Sequence, residues 1–221
     1  MAETIHSSTS ISGPAKDPGP RLAETLLRIA WLAILLGLGI EAILLILAAG
    51  FGGIPGIQPI VADLVQKVSW SVIVCAGLAF GKAASKGQPA WMGFAGLFSA
   101  PVAFSVAGTL HRSASYALKL AEPGSGAAFP FLIAALKGLE YAALGLILGW
   151  VGKRARAGAA AYAAAGFVIG LVFGTAIVWS SASGSLISLK VLPRLINEVL
   201  FPLGCSLALF AADAIGERTG K

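Results

Sequence analysis

The feature that most constrains this chain is a succession of six apolar runs, each about 20 residues long, with most of the charge collected between them. A run of that length crosses the hydrocarbon core of a bilayer as a helix. An open strand would leave its backbone unpaired in lipid, so every span should be helical. Spans are predicted at residues 29–49, 68–84, 90–110, 128–151, 158–180 and 196–214. The expected fold is an all-α integral membrane protein with a six-helix domain over residues 27–216 and a short tail at 217–221. Residues 1–26 are rich in Ser, Pro and Gly and read as a disordered tail, since they carry too little apolar surface to offset ordering. They do not read as a cleavable leader, because the first apolar run starts late and has no small-residue exit site. Composition fits lipid as the solvent. Charged residues make up 12% of the 221 and hydrophobic ones 57%, against about 25% charged in a soluble domain.

The net charge of +6 would suggest nucleic acid in a soluble protein, but here membrane orientation explains it better. With the N-terminus inside, the inner segments hold Lys16, Arg21, Arg28, Lys82, Lys86, Lys153, Arg154, Arg156, Arg218 and Lys221. The outer ones hold Lys67, Arg112, Lys119, Lys190 and Arg194. Ten against five puts both termini in the cytoplasm, in the inner membrane of a bacterium. Trp31, Trp70, Trp91, Trp150 and Trp179 each fall near a predicted span end, as an aromatic belt would.

The two halves share a pattern. Gly39-Ile40-Glu41 matches Gly138-Leu139-Glu140 at a shift of 140 − 41 = 99, and Leu45 and Leu47 match Leu144 and Leu146. Pro101, Ser105 and Ala107 match Pro202, Ser206 and Ala208 at 202 − 101 = 101. Gly, Ala and Leu are common enough to match by chance, so the loops matter more. The loop from Gly50 to Pro59 has no basic residue, whereas its counterpart has Lys153, Arg154 and Arg156. Lys82 and Lys86 correspond to Ser181 and Ser185. Three spans per half would insert the second half upside down, and equivalent loops should then exchange basic character. The expectation is an inverted 3+3 repeat, an arrangement used by transporters with sites near the midplane.

Three ionisable residues fall near mid-span: Glu41, Lys137 and Glu140. Each charge costs roughly 2.5–3.5 kcal/mol to insert there, so such groups face partners or water. Lys137 and Glu140 share one helical face. A two-fold axis in the membrane plane would bring Glu41 to Glu140, with Lys137 between them. Two carboxylates and one ammonium leave one negative charge, and burial disfavours the charged form of the less well paired acid. Such a group can carry a proton or bind a cation. The competing reading is an ion pair that only docks spans one and four.

Pro101 and Pro202 should kink their helices and free a carbonyl each, shaping a path. Asn197 and Glu198 open the sixth span and read as a secondary polar site at the outer headgroups, while Asp63 and Lys67 read as interfacial. Gly166, Gly170 and Gly174 step along one face of span five, for internal packing or for docking. Cys75 and Cys205 form no CxxC and read as small packing residues.

Nucleotide-binding and HExxH motifs are absent, and Ser183-Gly184 has no intramembrane histidine as base, so no enzyme activity, metal or cofactor is expected. The leading reading is a multi-pass channel or transporter with a midplane proton or cation site. The alternative is a non-catalytic subunit of a larger membrane complex. Expected partners are the lipid bilayer and either copies of itself or other membrane proteins, with no nucleic acid.

Overall fold

The computed structural model describes residues 18–50, 53, 55–84, 88–120, 130–154, 157–181 and 191–219. Residues 1–17, the loop residues Lys86, Arg156 and Lys190, the Ser183-Gly184 pair, and Lys221 lie outside them. The described residues form six helices and no strand: α1 (Pro18–Gly50), α2 (Ile57–Ala84), α3 (Pro89–Ala117), α4 (Pro130–Val151), α5 (Ala159–Ser181) and α6 (Val191–Thr219). All six are long and apolar enough to cross a membrane. The shortest, the 22-residue α4, reaches about 33 Å at 1.5 Å per residue, just over the hydrocarbon thickness. The chain is a multi-pass integral membrane protein.

Predicted and observed spans agree closely for α4 and α5. Elsewhere the helices are longer. Residues 18–26, expected as tail, are the first turns of α1, where Glu24 and Arg28 form an i,i+4 pair. Residues 217–219 likewise continue α6. The departure that matters for the site is α2, which starts 68 − 57 = 11 residues before the predicted span. The run holding Asp63 and Lys67, expected to precede the span, is therefore part of the helix. It also places Trp70 mid-helix, buried at 8% exposure, while Trp31, Trp91, Trp150 and Trp179 are 54–63% exposed. Trp70 is a core residue and does not belong to the aromatic belt.

Each helix packs on the next, and α6 returns to α1, closing a ring; α6 also touches α2 and α4. Without a hydrophobic force between apolar helices in lipid, close approach and dispersion hold such a bundle together. Small residues provide the approach. A Cβ on Gly96 of α3 would fall on the Tyr141 carbonyl of α4, and one on Gly145 would lie 2.6 Å from the Met92 carbonyl carbon. The α5 glycines do the same for α6. A Cβ on Gly166 would sit 2.6 Å from the Pro202 carbonyl oxygen, on Gly170 2.9 Å from Val199 Cα, and on Gly174 2.9 Å from Glu198 Cβ. The stripe is thus an internal seam.

The prolines do not break their helices: α3 and α6 each continue through Pro101 and Pro202. Pro202 is fully buried against α5, and Pro101 packs over Gly138 of α4. Proline supplies no N–H, so the Leu97 and Glu198 carbonyls lose their i+4 donors. The Leu97 oxygen is accommodated where Gly138 has no side chain.

The seam between α2 and α6 is parallel and keeps its register to within one residue. Trp70 stacks edge-on with Phe201, Cys75 meets Cys205, and Lys82 pairs with Asp213. The offsets are 201 − 70 = 131, 205 − 75 = 130 and 213 − 82 = 131.

Candidate functional site

Lys137 and Glu140 lie one turn apart on α4, with Glu140 at the middle of the helix. The Lys137 ammonium donates to Glu140 Oε2 at 2.7 Å and also pairs with Glu198 of α6. It lies 5.5 Å from the Trp70 ring centroid and 5.9 Å from that of Tyr141, within cation–π range. Trp70 Nε1 in turn donates to the Tyr141 hydroxyl at 3.4 Å. One ammonium is thus enclosed by two carboxylates and two aromatic rings, contributed by α2, α4 and α6. The glycine contacts of α4 on α3 fix the rotation of α4, and Gly174 of α5 seats the stem of Glu198.

The charges in this group do not balance. Two carboxylates face one ammonium. Glu140 is wholly buried, and its Oε1 has no hydrogen-bond partner. A buried acceptor without a donor is costly, and in membrane-spanning segments such polar groups mark functional sites. Asn197 Oδ1 is buried and unpartnered as well. Adjacent helical residues point about 100° apart, so Asn197 is not assigned to the face that Glu198 uses. Among the described residues no three His, Cys, Asp or Glu side chains gather to hold a metal ion.

A second ionic group sits between α1 and α2. Glu41 pairs with Lys67, and Lys67 is 4.0 Å from Asp63 one turn earlier. Asp63 is 46% exposed. Its Oδ1 is 3.6 Å from Nδ1 of His111 on α3, which also lies 3.2 Å from the Ala62 carbonyl. Both ionic groups lie toward the face where α1 and α3 end and α2, α4 and α6 begin. The Lys82–Asp213 pair occupies the other end of the bundle.

Glu41 therefore does not join Lys137 and Glu140 as expected. Its partner is Lys67, which the early start of α2 carries into the bundle. Glu198, expected in a secondary site at the headgroups, is the second partner of Lys137, because α6 begins at Val191 and places it about two turns inside. Pro101 and Pro202 pack against α4 and α5, flanking the group rather than entering it. Of Gly166, Gly170 and Gly174, Gly174 lies against Glu198, and the other two pack on α6 beyond it. Sequence reasoning missed Lys67, Trp70 and Tyr141. The first had a signal, Asp63 and Lys67 spaced i,i+4 in an otherwise apolar helix. Tyr141 had none beyond its place beside Glu140.

No family model matches the chain, and neither a search of curated proteins nor one of solved structures returned a match.

Proposed function

We propose that this protein moves a proton or small monovalent cation across its membrane, with Lys137, Glu140 and Glu198 as the binding point. The observation that carries this reading is the orphaned Glu140 Oε1 beside a lysine held between two carboxylates, three side chains with a formal charge of −1. A proton or cation at that oxygen would neutralise the group and meet its unused lone pairs. A group serving only to dock α4 on α6 would need no second carboxylate. Trp70 and Tyr141 confine Lys137 so that it holds the carboxylates apart and sets the affinity. The ion would reach the group from the side of Asp63 and His111, where the partly exposed carboxylate of Asp63 offers a first contact. The proposed setting is the inner membrane of a bacterium, with both termini in the cytoplasm and the basic excess of the inner loops as support.

The alternative, a non-catalytic subunit of a larger membrane complex, would have to dock by another face than the α5 glycines, which are packed on α6. The test is flux in liposomes containing the purified protein, read with a pH dye and with alkali-cation dyes. Glu140→Gln keeps the volume and removes the charge. It should slow flux by at least about tenfold. Unchanged flux in a folded Glu140→Gln protein would remove Glu140 from the mechanism, and absence of flux in the parent protein would remove the transport reading.

A further inference from the structure

The two cysteines are 130 residues apart in sequence, yet α2 and α6 bring their sulfur atoms to 3.0 Å. Both side chains are wholly buried and both are free thiols. This separation is shorter than the about 3.5–4.0 Å of ordinary non-bonded contact between heavy atoms. It is about 1 Å longer than the 2.05 Å of a disulfide. The neighbouring contacts explain why the two thiols face each other. Trp70 on Phe201 fixes the seam on one side of the cysteines, and Lys82 with Asp213 fixes it on the other, at the same offset. The helices run in register past both sulfurs, so bond formation needs a small side-chain adjustment and no sliding of helices.

We infer that Cys75 and Cys205 are a site of covalent modification, an intramembrane disulfide that ties α2 in the first half of the chain to α6 in the second. The two S–H bonds break and one S–S bond forms. The two electrons and two protons pass to dioxygen, giving hydrogen peroxide. Dioxygen suits this site because it is small and apolar and dissolves in lipid, whereas charged oxidants do not reach a fully buried thiol. The same burial protects the product. Reduction by thiol exchange requires a thiolate to reach one of the sulfurs, and a closed seam between two helices with both sulfurs fully buried admits none. The bond would hold α6 at its present height on α2, and with it the position of Glu198 beside Lys137. The inference stands whether or not the protein transports an ion.

Intact-mass analysis of the whole protein tests it. Membranes prepared in air are dissolved in denaturant containing N-ethylmaleimide, with and without prior reduction. The expected result is no adduct on most unreduced chains and two adducts after reduction, with unreduced protein migrating as a monomer on a denaturing gel. Cys75→Ser should show one adduct under both conditions. Two adducts on most unreduced chains would overturn the inference. So would a covalent dimer, since the bond would then join two copies rather than two helices of one chain.

Discussion

Glu41 with Lys67, between α1 and α2, and Lys137 with Glu140 and Glu198, between α4 and α6, use the same side-chain types on the same side of the bundle. Their burial differs. The first also sets two acids, Glu41 and Asp63, around one base, but Asp63 is 46% exposed and keeps its hydration. The second holds an extra carboxylate in a fully buried place and leaves one of its oxygens unmet. A neutral pair is enough to fix how two helices dock. An unbalanced group that is enclosed carries a standing cost in lipid, and that cost is accounted for if the group must accept something from outside. The two regions thus separate an intramembrane charge that can shed its excess into water from one that is enclosed with it.

Removing the base should expose this contrast most sharply. Lys137→Met leaves Glu140 and Glu198 without their ammonium, and loss of one partner of a buried ion pair costs on the order of 3–5 kcal/mol. Thermal unfolding in detergent should show a large loss, and adding Glu198→Gln should recover more than half of it. If Lys137→Met unfolds like the parent protein, the cluster is wetter than its burial indicates and the contrast collapses.

A smaller effect should come from the seam that positions Glu198. Gly166→Leu forces a side chain against the α6 backbone, and such overpacking costs about 1–3 kcal/mol. Stability and flux should both fall, while the oligomeric mass by light scattering stays unchanged. A change of oligomeric mass with intact stability would return α5 to the role of a docking face.

Glu41→Gln tests the pair between α1 and α2. Lys67 keeps Asp63 within reach, so the loss should be about 1–2 kcal/mol, with flux in liposomes close to that of the parent. Flux lost as completely as in Glu140→Gln would place Glu41 on the ion path and make the two regions one.

Trp70→Phe should have the least effect. It retains a ring against Lys137 and Phe201 but loses the indole donor to Tyr141, worth about 1 kcal/mol. Its value lies in the flux readout. A shift in the cation concentration giving half-maximal rate, with little change in stability, would show that the aromatic wall tunes the binding point.

Six apolar runs and the sparing use of charge determined by themselves that this chain crosses a membrane as helices, since no other backbone arrangement of single segments satisfies its own hydrogen bonds in lipid. The same sequence marked Glu41, Lys137 and Glu140 as costly residues to bury, but left Glu198 at the headgroups. Their partners were decided only by tertiary structure. Whether Glu41 meets Lys67 or Lys137 depends on which helices are neighbours and how each is rotated, and apolar helices in lipid carry no strong periodicity to reveal that rotation. Here it is set by where glycine lets backbones touch: α3 on α4 around Gly96 and Gly145, and α5 on α6 from Gly166 to Gly174. The cysteines make the same point. Read along the chain they are two small residues 130 positions apart, and only the parallel register of α2 and α6 turns them into a pair.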